Sequence, residues 1–169
     1  VSPLLLTVNA ASEYKSLKDI IKKAKANPGK VVQGGGDFGQ VASLVGKMMA
    51  DEKGVDITYT PFDDEGVLQL LGGHIDFILE NPGQVFKFVK AGKMRILASS
   101  VKLPSMPEVP TFKQAGYKPI RSISTDGFNR GLYGEISNEH LLQFACQENQ
   151  EFGSKKIVRS ELGEKVKSS

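Results

Sequence analysis

Apolar residues follow two alternating periods along the first hundred residues. Short apolar runs predict strands at residues 4–9, 30–33, 55–60, 75–79 and 94–98. Amphipathic segments between them predict helices at residues 17–26, 39–52 and 65–71 and a fourth that opens at Pro82. Because strand and helix alternate four times at short spacing, the pattern predicts an α/β fold with a mainly parallel sheet flanked by helices on both faces.

The first two helices carry clear local signals. Ser16 is a good N-cap, and Asp19 at the N3 position completes a pattern close to a capping box. Gly54 is expected to end the second helix. The predicted buried stripes are Leu17, Ile20, Ile21 and Ala24 in the first helix and Val41, Leu44, Val45, Met48 and Met49 in the second.

Composition narrows the function mainly by exclusion. The net charge of the 169 residues is only +3, which gives no reason to expect nucleic acid as a partner. Cys146 is the only cysteine, so an internal disulfide is impossible and a cysteine-based metal site is excluded. The two histidines are far apart, and no nucleophile–base pattern or metal-ligand spacing is present. We therefore expect no cofactor, no metal and no enzyme activity.

A glycine-rich stretch from Gln33 to Gln40 is the most informative motif, since it follows a predicted strand and precedes a predicted helix. Backbone N–H groups exposed by glycines, together with the positive end of a helix dipole, suit an anion. The spacing matches neither a dinucleotide fingerprint nor a phosphate-binding P-loop. Carboxylate and phosphate both stay open as ligands, and so does a plain tight turn.

Two more loops follow predicted strands and are expected at the same edge of the sheet. Pro61, Phe62 and Asp63 form one of them, and Asn81 in the other could donate a hydrogen bond to a ligand oxygen. Asp64 is expected to cap the next helix. His74 precedes a strand, at the opposite edge, where a structural role is favoured.

Several segments occur together in an order that resembles one protein family. They are residues 24–30, the glycine-rich stretch, residues 54–57, 70–76, 91–98 and 107–117. The chain resembles the solute-binding proteins of tripartite tricarboxylate transporters, also called the Bug family, from residue 1 to about Tyr117. Residues 130–133 are similar to a further stretch of that family, and after Tyr133 the similarity fades.

The resemblance implies a periplasmic-binding-protein fold of type II with two α/β lobes and a ligand cleft between them. Residues 1–125 would form the second lobe, and residues 126–169 would return to a first lobe whose opening hundred residues precede residue 1. The loop after Pro61 is about two residues shorter than is usual in the family. The resemblance implies ligand contacts for Gly34, Gly35, Gly36, Asp37, Phe38, Gly39 and Gln40. The loops expected at the same sheet edge add Pro61, Phe62, Asp63 and Asn81 as predicted ligand-binding residues.

The implied function is extracytoplasmic capture of a small carboxylate and its delivery to the membrane permease of the transporter. Hinge closure of the two lobes would then desolvate the ligand. Two alternatives stay open. One is a sensory or regulatory ligand-binding domain of the same fold, and the other is an enzyme that uses Asp63, Asp64 or His74.

Overall fold

Five strands and four helices alternate along the chain in a computed structural model that describes residues 3–38 and 40–118. The strands are β1 (Leu5–Asn9), β2 (Val31–Gly35), β3 (Ile57–Pro61), β4 (Phe77–Glu80) and β5 (Met94–Ser99). The helices are α1 (Leu17–Ala26), α2 (Val41–Lys53), α3 (Val67–Leu71) and α4 (Pro82–Lys90). The predicted α/β alternation is confirmed.

The strands form one mixed sheet in the order β3-β2-β4-β1-β5. β2 runs parallel to β3 and to β4, whereas β1 runs antiparallel to β4 and β5. The hydrophobic pattern did not reveal the direction of β1, since an apolar strand buried on both faces reads the same in either direction. The result is a mainly parallel sheet, as predicted, with one strand reversed near its centre.

Helices cover both faces of the sheet and create two hydrophobic cores. α1 and α2 pack on one face, with Ile20 and Val45 among the buried residues. α3 and α4 cover the other face through Leu70 and Val85. The capping box of α1 is present, with the Ser16 N–H donating to Asp19 at 2.8 Å.

The buried face of α2 differs from the prediction. Its buried residues are Ala42, Ser43, Val45, Gly46, Met49 and Ala50, whereas the predicted Val41, Leu44 and Met48 are half-buried. The small residues Ala42, Gly46 and Ala50 let this helix lie close to the sheet, so the densest contact is made by residues that carry little hydrophobic signal. Gly54 ends the helix in the left-handed conformation with φ of 63°, as predicted.

Several element boundaries differ from the prediction. β3, β4 and α2 each begin two residues later than predicted, and two further differences bear on the site. β2 continues through Gly34 and Gly35, which the sequence had assigned to a loop. α3 begins at Val67, two residues later than predicted, because Glu65 and Gly66 have φ of 57° and 80° and cannot belong to a right-handed helix. The predicted turn after Thr111 is confirmed, with the Ala115 N–H donating to Thr111 O at 2.9 Å. The expectations for residues 126–169, and for Gly39, Arg130, Tyr133, His140 and Cys146, lie outside the described residues.

Candidate functional site

The carboxyl ends of three parallel strands meet at one edge of the sheet. Gly35 of β2 pairs with Pro61 of β3, and Gly34 pairs with Ile78 of β4, which brings Glu80 and Asn81 to the same level. The end of β5 lies there too, since Leu5 of β1 pairs with both Glu80 and Ser99. This is the edge at which ligands of open α/β sheets usually bind.

The predicted ligand-binding residues that the structure describes all belong to this edge. Gly34 and Gly35 are the buried last residues of β2, and the turn that follows places Asp37 and Gln40 in solvent and leaves Phe38 half-buried. On the neighbouring strand, Pro61 and Asp63 are exposed and Phe62 is half-buried. Asn81 is half-buried at the start of α4. Gly39 lies outside the described residues.

The three glycines before the turn differ in what surrounds them. A Cβ on Gly34 would overlap Ile75 Cδ1, and one on Gly35 would overlap the Tyr59 hydroxyl. Both positions therefore require glycine for close packing. A Cβ on Gly36 would meet Gln40 Oε1 at 2.6 Å, which is the end of an exposed and flexible side chain. Gly36 is buried as well, but the group beside it is the end of a side chain that can move.

Tyr59 supports the turn from β3. Its hydroxyl donates to Gly36 O at 2.8 Å, and its ring packs against Phe38 with centroids 5.3 Å apart. Burial, and then the charges of Glu80, Asp37 and Glu65, raise the pKa of Tyr59 well above its ordinary value. Tyr59 therefore stays protonated and serves as a fixed hydrogen-bond donor to the backbone of the turn.

The Asp64 carboxylate caps α3 rather than facing a ligand. Its oxygens accept from the Gly66 N–H at 3.2 Å and from the Leu68 N–H at 2.7 Å. This agrees with the capping role predicted for Asp64. The Phe62 N–H donates to Gly35 O at 2.7 Å, which fastens the loop after β3 to the end of β2.

Two helix N-termini at this edge have no side-chain cap. α2 begins after Gln40 and α4 after Asn81; neither cap residue makes a capping hydrogen bond, and neither first turn contains an acid. α1 has Asp19 in its first turn and α3 has Asp64, so acids neutralise those helix starts. The partial positive charges at the starts of α2 and α4 point toward the site, and the acids closest to them along the chain are Asp37 in the turn and Glu80 before Asn81.

A buried pair of acids lies behind the turn. Glu80, the last residue of β4, is only 6% exposed. The Glu65 carboxyl and the Asn81 N–H are polar neighbours of its carboxyl. Burial, and next the contact with Glu65, raises the pKa of Glu80 to about 8. At neutral pH the Glu80 carboxyl is therefore largely protonated.

The sequence analysis missed Tyr59, Glu65 and Glu80. Glu80 was read as part of the loop after a strand, although its position directly before Asn81 at a strand end was a usable signal. Nothing in the sequence marked Glu65, whose left-handed backbone turns its carboxyl toward β4 from a segment predicted to be helical. His74 is exposed and lies before β4, at the opposite edge.

Among residues 3–38 and 40–118, no group of three or more histidine, cysteine or acidic side chains could hold a metal ion. Within the same residues, no helix is long and apolar enough to cross a membrane.

Comparisons with known proteins converge on one group. Residues 1–129 match the family model described as "Tripartite tricarboxylate transporter family receptor". Protein BugT of Bordetella pertussis is 33% identical over 119 residues, which cover 68% of this chain and 36% of BugT. The chain thus spans about a third of the length of such curated relatives.

Solved structures agree with these matches. A TctC solute-binding protein from Polaromonas is 27% identical, with a TM-score of 0.62 over 70% of this chain and 42% of its own. R. palustris Rpa4515, solved with adipate, has a TM-score of 0.65 at 24% identity, and the match covers 91% of this chain and 52% of that protein. The fold is accordingly that of the periplasmic binding proteins.

Proposed function

Because the chain belongs to the tripartite tricarboxylate transporter receptor family, we propose that the turn from Gly36 to Gln40 forms one wall of a binding site for a small carboxylate. The observation that carries the proposal is the pair of uncapped helix N-termini, α2 and α4, at one edge of the sheet. Helix N-termini attract anions because their first N–H groups have no partner within the helix.

The surrounding residues support a binding role. The family consists of substrate-binding receptors rather than enzymes, which agrees with the prediction that the chain is not an enzyme. Tyr59 fixes the backbone of the turn, so its N–H groups are held in place before a ligand arrives. Asn81 is half-buried at the start of α4 and is proposed to donate its side-chain amide to a ligand oxygen.

The wider role follows from the family. We propose that the protein works in the periplasm, where a second lobe closes over the bound carboxylate, and that the loaded protein delivers it to the permease of the transporter. Residues 1–125 are proposed to form one lobe, and residues 126–169 to lead back to the other. The motivating observation is that the chain covers 36% of BugT and 42% of the Polaromonas protein.

The test compares three ligand classes on the 169-residue chain by NMR. A dicarboxylate such as adipate, inorganic phosphate and a diamine are titrated separately against isotope-labelled protein. With one wall of a cleft, a dissociation constant on the order of 1 mM is expected for the dicarboxylate. Shifts should be largest around Gly36, Asp37 and Asn81.

Two glycine variants sharpen the test. Gly36→Ala adds a Cβ against the movable Gln40 side chain, so the protein should fold while the turn becomes crowded. The matched control is Gly72→Ala, whose Cβ meets the exposed His74 side chain at 2.8 Å at the opposite edge. We expect binding to weaken about tenfold in the first variant and to be unchanged in the second. Saturable binding of phosphate with no response to any dicarboxylate would refute the carboxylate assignment.

A further inference from the structure

We propose that carboxylate binding at the Gly36 turn is coupled to a proton that the Glu65 and Glu80 carboxyls share, so that the protein takes up a proton when the ligand binds. This inference rests on the proposed function and deepens it. It arises from a conflict in the site, because an anion is expected beside two buried acids.

The acid pair and the turn are linked through Tyr59. The Tyr59 hydroxyl donates a hydrogen bond to the Gly36 carbonyl oxygen at 2.8 Å. The negative charges of Glu80 and Glu65 contribute to the raised pKa of the same hydroxyl. Glu80 and the turn also sit at adjacent strand ends, since β2 and β4 are paired. A negative charge bound at the turn therefore acts on the pair over a short and largely buried path.

In the part of the chain that the structure describes, the two carboxyls have few donors that could stabilise both of them as carboxylates. Glu65 Oε2 is buried, and within the described residues no N–H or O–H group donates to it. Its neighbour Glu80 is another carboxyl, which becomes a donor only when protonated. The Asn81 N–H stabilises the charged form of Glu80, but a single donor is too few to stabilise two neighbouring carboxylates.

Positive charges from the surrounding elements do not offset the pair. β1, β2, β3 and α3 carry no charged residue, and the Arg95 guanidinium of β5 donates to Tyr14 O and Ala10 O near the opposite edge. The lysines of α4, Lys87 and Lys90, lie in its last turn, away from the site. Lys47 of α2 is exposed and paired with Asp51, and Lys53 lies in the last turn of that helix. Among the described residues, the other ionisable groups at this edge are Tyr59 and the acids Asp37, Asp63 and Asp64, so none of them is a cation that could substitute for the proton.

The expected result is a pH-dependent affinity. The pKa of Glu80 is about 8, so the pair gains one negative charge as the pH rises through that value. The added charge acts across a partly buried site, where the effective dielectric constant is about 20, and should weaken carboxylate binding roughly tenfold between pH ~6.5 and pH ~9.5. By linkage, a carboxylate bound near pH 8 raises the pKa of the pair further and draws a proton from the buffer.

The test measures adipate affinity across this pH range for the whole chain, using methyl NMR signals that do not exchange with water. Calorimetry at pH ~8 in two buffers of different ionisation enthalpy counts the proton taken up. Glu80→Gln replaces the acid by an amide of the same shape that cannot ionise, and Glu65→Gln provides a second variant if the first does not fold. Glu13→Gln, which changes an exposed acid at the opposite edge, is the matched control.

The outcomes separate the coupling from the binding. The proposal is supported if the wild type and Glu13→Gln lose about tenfold in affinity at high pH and take up a proton, while the Glu80 or Glu65 amide variant does neither. A constant affinity with no proton uptake in the wild type overturns the coupling alone. Unchanged pH dependence in both amide variants assigns the proton to another group and also overturns it. Absence of adipate binding at every pH overturns the proposed function and the coupling with it.

Discussion

Replacing Gly35 by alanine tests how tightly the end of β2 packs against Tyr59. The new Cβ would overlap the Tyr59 hydroxyl and lie 3.0 Å from Cζ and 3.1 Å from Cε2. Tyr59 would have to move, and its hydrogen bond to Gly36 O would be lost. The backbone conformation of Gly35 is open to alanine, since its φ is not positive.

The magnitude follows from three terms. Overpacking costs about 1–3 kcal/mol, and loss of the buried hydrogen bond costs about 1 kcal/mol more. Alanine returns about 0.4–1 kcal/mol by restricting the unfolded chain. We expect Gly35→Ala to lower the free energy of unfolding by about 1–3.5 kcal/mol. Tyr59→Phe alone should cost about 1 kcal/mol, because it removes only the hydroxyl.

The decisive assay is a double-mutant cycle by urea denaturation. Tyr59→Phe removes the oxygen that the new Cβ at position 35 would overlap. The double variant should therefore lose at least about 1 kcal/mol less stability than the two single variants lose together. Ala42→Gly, a change in α2 outside this contact, serves as the control and should add independently to Tyr59→Phe. Additivity of Gly35→Ala and Tyr59→Phe within about 0.5 kcal/mol would refute the packing argument.

Three further predictions concern stability. Gly46→Ala should lower the free energy of unfolding by about 1–3 kcal/mol, although alanine has the better helix propensity, because the new Cβ would lie 2.5 Å from Cδ of the buried Gln33. A rise in the urea midpoint of this variant would contradict the prediction. Asp64→Ala should lower the free energy of unfolding by about 1 kcal/mol through loss of the α3 cap, whereas Asp64→Asn should keep most of the stability that the cap provides. Equal losses in the two variants would show that capping by residue 64 is unimportant. The free energy of unfolding should fall as the pH rises from 4.5 to about 8, because Glu80 keeps a proton in the folded protein that the unfolded chain has lost. The fall should be at most about 1.4 kcal/mol per pH unit, and Glu80→Gln should make the free energy of unfolding less dependent on pH in this range.

The sequence predicted the parts of the fold that depend on local signals. The capping box at Ser16, the glycine end of α2 at Gly54 and the alternation of strands with helices were all readable, because each depends on neighbouring residues. The sheet edge that gathers the loops was also predictable, since carboxyl ends of parallel strands share an edge. The family resemblance gave the fold type independently of these local patterns.

What the sequence could not predict depends on contacts between distant residues. The reversed direction of β1 is set by its pairing with β4 and β5. Gly34 and Gly35 looked like a flexible loop, but Ile75 and Tyr59 occupy the space that their side chains would need. The Glu65–Glu80 pair forms only because two segments fifteen residues apart in sequence meet at one strand end.

The most direct test of the account is a crystal structure of the chain grown with adipate. The account predicts that one adipate carboxylate lies against the turn from Gly36 to Gln40, within hydrogen-bonding distance of backbone N–H groups at the start of α2, with Asn81 nearby. Adipate bound at any other surface, with the turn unchanged and unoccupied, would contradict the central claim that this sheet edge is the carboxylate site.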